Sequence, residues 1–101
     1  MLKKVTKVSA KWCPPCRLYA ETFKKVSEDP EFKDITFTNV DIDDDSTDEA
    51  FLERYMVKTV PTTLLLDEED NLLYKMTGNV SEAMLREVIQ GPVSGKLGVG
   101  Q

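Results

Sequence analysis

Apolar residues recur along this 101-residue chain in short segments, and their spacing differs from one segment to the next. The first segment, residues 3–10, carries valines in a β-favouring context and predicts a short, rather polar strand. From Cys16 to Val26 apolar residues return every three or four positions, which predicts a helix that ends near Glu28, just before a proline. Residues 34–42 alternate between apolar and polar side chains, as a second strand does. Two strands joined by a helix are expected to pair in parallel.

The middle of the chain predicts a second helix and a hairpin. Ser46 and Glu49 have the spacing of a capping box at the start of the helix, and Phe51, Leu52 and Tyr55 would supply its apolar contacts. The segments TTLLLD and LLYKMT then flank the polar turn EEDN. They predict an antiparallel hairpin whose first strand is apolar enough to be covered on both faces.

A final helix is predicted from an N-cap at Ser81 to the pair Gly91-Pro92, which would end it. Its apolar stripe would consist of Val80, Met84, Leu85, Val88 and Ile89. Residues 1–91 thus predict one α/β domain with a four-stranded mixed sheet in the order β-α-β-α-β-β-α. Residues 92–101 are glycine-rich and predict a flexible C-terminal tail.

Composition and charge narrow the classes of function. Hydrophobic residues make up 41% of the chain and charged residues 31%, and 13 basic against 18 acidic residues give a net charge of −5. Such a surface would repel a phosphate backbone, and no apolar run approaches the ~20 residues that cross a bilayer. The acidic run DIDDDSTDEA lacks the glycine of a calcium loop and is interpreted as a solvated loop. We therefore expect a cytoplasmic monomer that binds neither nucleic acid nor membrane.

The two cysteines of the chain, Cys13 and Cys16, stand in the stretch AKWCPPCRLYAE. A structural zinc site needs four ligands, and the chain has no histidine and no third cysteine. A structural disulfide that closes so short a loop would restrict the unfolded chain little. A redox dithiol is the favoured interpretation. The alternative is a domain of the same fold whose dithiol has lost its redox activity. No bound cofactor is expected, because the electrons reside in the dithiol.

The prolines between the cysteines predict two thiols that differ in their tendency to form a thiolate. If the helix begins at Pro14 and Pro15, Cys13 lies at its N-terminal end, where the macrodipole and the free backbone N–H groups favour a thiolate. Cys13 is then the attacking sulfur, and Cys16, one turn further on, is the resolving sulfur. Since prolines have no N–H group, the amide of Cys16 is the donor best placed to reach the Cys13 sulfur.

Three motifs resemble the thioredoxin family over residues 4–89: WCPPC after a strand, TVPT before a hairpin strand, and a glycine before the last helix. The centre is also similar to those of tryparedoxins and nucleoredoxin. The resemblance implies a pared-down thioredoxin fold and an enzyme that reduces protein disulfides. A thioredoxin reductase or glutathione would be its electron donor. Its cellular role would be electron transport and redox homeostasis. It implies a cis peptide bond before Pro61, pairing of the Val60 backbone with substrate, and room for that substrate beside Gly78. Trp12 is expected to shield the dithiol and to contact substrate.

Lys7 and Pro14 depart from the family pattern. Six residues before its first cysteine the family has a buried aspartate that is thought to help deprotonate the resolving thiol, and here that position is Lys7. An ammonium close to Cys16 would lower the pKa of its thiol. Alternatively, Lys7 runs its stem along the sheet and takes its charge to water. Since the family's additional first strand and helix are missing here, one face of the sheet is also expected to be wetter, which would explain the lysines of the first strand. Pro14 replaces a glycine of the family, so the reduction potential cannot simply be carried over.

Two other functions stay open. A glutaredoxin-like enzyme would act through glutathione and shares the TVP motif, although Trp12 before the cysteine favours thioredoxin. A thioredoxin-fold binding module would keep its two cysteines only as a relic.

Overall fold

Residues 1–91, the part of the chain that the computed structural model describes, form four strands and three α-helices. Their order is β1 (Leu2–Ser9), α1 (Pro14–Ser27), β2 (Thr36–Asp41), α2 (Glu49–Arg54), β3 (Thr62–Asp67), β4 (Leu72–Thr77) and α3 (Glu82–Gln90), with a 3₁₀ turn at Pro30–Phe32. The predicted order and the α/β fold class are confirmed. The predicted tail, residues 92–101, lies outside the described residues.

The strands form one mixed sheet in the order β2-β1-β3-β4. β1 pairs in parallel with β2, with Val5 opposite Phe37, and it pairs antiparallel with β3. β3 and β4 form the predicted antiparallel hairpin. β1 is therefore an internal strand, and four of its residues are buried: Val5, Thr6, Lys7 and Val8. The expectation that its lysines mark a wetter face of the sheet is wrong for Lys7, because α1 covers this part of the strand.

Apolar clusters lie on both faces of the sheet. On one face Val5 and Leu65 pack against side chains of α1 and α3, including Tyr19, Phe23 and Leu85. On the other face a second cluster holds Val8, Leu64, Leu66 and Tyr55, with Phe51 and Leu52 of α2 packed against it. β3 is thus covered on both faces, as its run of three leucines predicted. The described residues contain no helix long and apolar enough to cross a membrane.

The helix caps agree with the sequence prediction in α3 but differ in α2. Ser81 accepts a hydrogen bond from the Met84 N–H at 3.1 Å, as predicted for the N-cap of α3. The N-cap of α2 is Asp48, whose carboxylate accepts from the Ala50 N–H at 2.9 Å. The predicted capping box at Ser46 is wrong, because the Ser46 hydroxyl donates instead to Asp44 within the preceding loop. Aspartate is as good an N-cap as serine, and Asp48 stands directly before the helix.

Met84 is also less buried than the predicted stripe of α3 requires. Its exposed fraction is 46%, whereas Leu85, Val88 and Ile89 are buried. Successive residues are about 100° apart around a helix, so Met84 lies at the margin of a stripe centred near Leu85 and Ile89.

Candidate active site

The two cysteines lie at the start of α1. Cys13 is the N-cap residue, Pro14 and Pro15 occupy the first two helical positions, and Cys16 follows in the first turn. Cys13 and Cys16 form a disulfide, with their Cα atoms 5.2 Å apart. The backbone N–H of Cys16 donates a hydrogen bond to Cys13 Sγ at 3.2 Å, as the missing amides of the prolines predicted. The Cys13 sulfur therefore has both a donor and the positive end of a helix dipole, which favour a thiolate once the disulfide is reduced.

A proline turn approaches the first sulfur from the start of β3. The Val60–Pro61 peptide bond is cis, as the resemblance implied. Cys13 Sγ lies 3.8 Å from the carbonyl oxygen of Val60. The Gly78 N–H donates to the carbonyl of Pro61 at 2.8 Å, so the end of β4 holds this turn in place. The fold thus brings Val60 to the dithiol and joins Gly78 to the adjacent Pro61.

Gly78 has a backbone conformation that favours glycine. Its φ is +90°, and a Cβ atom built there would have no other atom within 4 Å. The position therefore requires glycine for its backbone angle rather than for space within the fold. The open space beside it is compatible with a bound chain segment, and that role stays a prediction.

An apolar groove of about 450 Å³ runs beside Cys13. Its walls come from the dithiol loop, the end of β2, α2 and the segment that leads to the cis-proline. Lys58 is the charged residue among them, and the principal apolar residues are Trp12, Pro14, Pro15, Ile42, Leu52 and Val57. Cys13 lines this groove and Cys16 does not. Both cysteines are nearly fully buried, at 4% and 3% exposure, so it is the groove rather than overall exposure that distinguishes Cys13.

Trp12 lies on the surface beside the dithiol, with 64% of its area exposed. Its indole Nε1–H donates to one carboxylate oxygen of Asp43 at 3.1 Å, and the backbone N–H of Lys11 donates to the other at 3.2 Å. The sequence interpretation missed Asp43, which it treated as part of a solvated acidic loop. The parallel pairing of β1 and β2 could have indicated this contact. The loops that follow two neighbouring parallel strands lie at the same edge of the sheet, and Trp12 and Asp43 stand in those loops.

We expect Asp43→Ala to loosen Trp12 and to weaken substrate binding. Loss of an exposed hydrogen bond to a charged group corresponds to at most about 1 kcal/mol, or up to a roughly fivefold rise in KM for a protein disulfide. Fluorescence anisotropy of Trp12, the single tryptophan of the chain, reports its mobility directly. Asp44→Ala is the matched control, because that carboxylate binds Ser46 within its own loop. Equal anisotropy in both variants would contradict the assignment.

Lys7 lies inside the fold beneath α1. Only 8% of its surface is exposed, so its stem is largely covered by the fold, and it lines two cavities, one of which also includes Cys16. The alternative in which its ammonium reaches water stays a prediction. Its Nζ lies 5.7 Å from the centroid of the Phe23 ring. Burial lowers the pKa of Lys7, and the carboxylate of Asp41 opposes that shift. Within residues 1–91 no group of three or more His, Cys, Asp or Glu side chains is arranged to hold a metal ion.

Thiol–disulfide exchange is the reaction that this geometry supports. One sulfur lines an open groove and has an activating donor, and a second sulfur lies behind it within bonding distance. The two thiols would carry a pair of electrons between substrates without a bound group. The chain is a thiol–disulfide oxidoreductase.

It belongs to the thioredoxin family, whose sequence model matches residues 3–91. A thioredoxin of Mycoplasmoides gallisepticum is 27% identical over 88 residues, which cover 87% of this chain and 82% of that protein. Thioredoxin H5 of Arabidopsis thaliana is 24% identical over 82 residues, which cover 81% of this chain and 64% of that protein. The X-ray structure of Fasciola hepatica thioredoxin superposes with a TM-score of 0.72 at 28% identity, over 86% of this chain and 77% of that one.

Proposed function

We propose that this protein is a monomeric, cytoplasmic reductant of disulfides in other proteins. The observation that carries the proposal is the asymmetry of the dithiol. Cys13 lines the apolar groove, its sulfur accepts the Cys16 N–H, and Cys16 lies outside the groove. A protein disulfide is the substrate class that fits, because an extended peptide segment can occupy an apolar groove while its sulfur reaches Cys13.

The reaction consists of two successive thiol–disulfide exchanges, each of which breaks one S–S bond and forms another. The Cys13 thiolate attacks one sulfur of the substrate disulfide, that disulfide breaks, and the other substrate sulfur leaves as a thiolate that takes up a proton. The Cys16 thiolate then attacks the Cys13 sulfur, the mixed disulfide breaks, and the second substrate sulfur leaves. The substrate has gained two electrons, and the enzyme holds the Cys13–Cys16 disulfide.

The residues around Cys13 have distinct roles in this proposal. The backbone of Val60 pairs with the extended substrate segment, in the manner of an added strand, and Pro61 fixes the direction of that backbone. Gly78 leaves space beside the turn for the same segment. Trp12, held by Asp43, covers one side of the substrate sulfur and excludes water from it.

The oxidised enzyme must then be reduced by a second partner. A thioredoxin reductase is one such electron donor, and glutathione is another. The cytoplasm suits this cycle, because its thiol systems keep dithiols reduced. The protein would in that way pass electrons from a cellular reductant to protein disulfides and contribute to redox homeostasis.

The reduction potential tests the direction of electron flow. A value near −270 mV, as in thioredoxin, together with reduction of insulin disulfides under turnover by a thioredoxin reductase, would support the proposed reductase. A potential near −120 mV would make the protein an oxidant. Turnover of a glutathione mixed disulfide, together with refusal of thioredoxin reductase, would instead indicate a glutaredoxin-like enzyme.

A further inference from the structure

A second cavity lies behind the dithiol and shares no lining residue with the apolar groove. Its volume is about 140 Å³, enough for a few water molecules. Cys16 forms part of its wall, together with Lys7 and Asp41. The resolving cysteine thus faces a small space with charged residues in its wall, whereas the attacking cysteine faces a larger, mainly apolar groove.

The strand register explains why these side chains meet. β1 and β2 run in parallel, with Lys7 opposite Asn39 and Ser9 opposite Asp41. Side chains two residues apart on a strand project from the same face, so Lys7 and Asp41 both project towards α1. Phe23 of α1 closes the other side of Lys7, with its ring 5.7 Å from Nζ.

The other charged groups around this cavity are exposed. Lys11 and Arg17 also line it, but both are in contact with solvent, where water screens their charge. Lys24 is likewise exposed and lines the neighbouring cavity on the far side of Lys7. From α1, Tyr19 accepts a hydrogen bond from Thr63 of β3, and burial raises the pKa of Tyr19 to about 12, so its hydroxyl stays neutral. Lys7 is therefore the buried cation among the charged residues that line the cavity.

We propose that the Lys7 ammonium acts across this cavity to stabilise the thiolate of Cys16, and that Lys7 is thereby a positioning residue for the resolving step. A positive charge in a partly desolvated space acts more strongly than the same charge at the surface. Burial lowers the pKa of Lys7, and the Asp41 carboxylate, which lines the same cavity, opposes that shift by favouring the charged form. The inference rests on the proposed function and assigns a residue to its second exchange.

The chemistry of that exchange balances without another reagent. Cys16 loses its proton to water in the cavity, and its thiolate attacks the Cys13 sulfur of the mixed disulfide. The Cys13–Cys16 bond forms as the bond between Cys13 and the substrate breaks, and the substrate sulfur leaves as a thiolate that is protonated by solvent. Lys7 keeps its proton throughout and contributes only its charge.

A chromogenic aryl disulfide, 5,5′-dithiobis(2-nitrobenzoate), separates the two exchanges in time. The reduced protein releases one thionitrobenzoate when Cys13 attacks and a second when Cys16 resolves the adduct. Stopped-flow traces over a series of pH values give the pH midpoint of the second release. In Lys7→Met we expect this midpoint to rise by about one pH unit, which makes resolution about tenfold slower on the acidic side.

Three further variants make the test specific to charge at this position. Lys7→Gln, a second neutral variant of different shape, should show the same rise, and Lys7→Arg should keep the wild-type midpoint. Lys3→Met removes an exposed lysine from the same strand and should also keep it. A wild-type midpoint in Lys7→Met or in Lys7→Gln would overturn the inference, and so would an equal rise in Lys3→Met. Absence of the second release from the wild-type protein would instead refute the proposed function.

Discussion

Cys13→Ser is expected to abolish the reduction of protein disulfides, with a loss of at least about a thousandfold in the rate of insulin reduction. A serine hydroxyl is not ionised at neutral pH, so the helix dipole and the Cys16 N–H no longer have a thiolate to stabilise. The loss should appear with dithiothreitol as electron donor as well as with a reductase, because it concerns the first exchange itself.

Cys16→Ser should behave differently, because it leaves the attacking sulfur and its groove intact. The first exchange proceeds and the second cannot, so the substrate stays attached through Cys13 as a mixed disulfide. Intact-mass measurement after incubation with a disulfide substrate should show one substrate half per protein molecule, released by dithiothreitol. The double variant Cys13→Ser/Cys16→Ser is the control and should form no adduct.

The opposite pattern would reverse the assignment of the two sulfurs. An adduct on Cys16 in Cys13→Ser, with none on Cys13 in Cys16→Ser, would mean that the cavity behind the dithiol admits substrate and the groove does not. Wild-type insulin reduction by both single variants would make the cysteines a relic and favour the binding module.

Features set by neighbours in sequence could be predicted from the sequence alone. The start of α1 is an example, because the prolines define the first turn and leave the Cys16 amide as donor to Cys13 Sγ at 3.2 Å. The cap of α3 at Ser81 is another. The cap of α2 shows the limit, because Ser46 and Asp48 stand two residues apart and both suit the N-cap. Which of the two caps the helix depends on the hydrogen bonds within the acidic loop, where Ser46 donates to Asp44. The sequence pattern did not show these bonds.

Features set by strand order could not be predicted from single segments. The lysines of β1 were expected to mark a wetter face of the sheet, yet β1 pairs with both β2 and β3, and Lys7 is largely buried. The role of Asp43 has the same origin, since its contact with Trp12 joins residues 31 positions apart. Both follow once β1 and β2 are placed side by side in parallel. Lys7 and Asp43 thus owe their surroundings to segments that are distant in sequence.

The two strands of the hairpin provide a direct test of such long-range effects on stability. Leu65 and Leu72 stand in similarly leucine-rich segments, but Leu65 is fully buried in β3 and Leu72 in β4 is 41% exposed. Leu65→Ala should lower the free energy of unfolding by about 3 kcal/mol, because it removes apolar contacts with the cluster under α1 and α3 and leaves a cavity. Leu72→Ala is the matched control and should cost about 0.5 kcal/mol or less.

Urea unfolding of both oxidised variants, analysed with the wild-type m-value, measures this difference. The disulfide is the same in each protein, so it does not contribute to the comparison. Similar losses of stability in the two variants would mean that β4 is covered by something beyond residues 1–91, such as a second molecule or a further segment. A large difference would instead show that β4 is an exposed edge strand, whose leucines contribute little to the core that supports the dithiol.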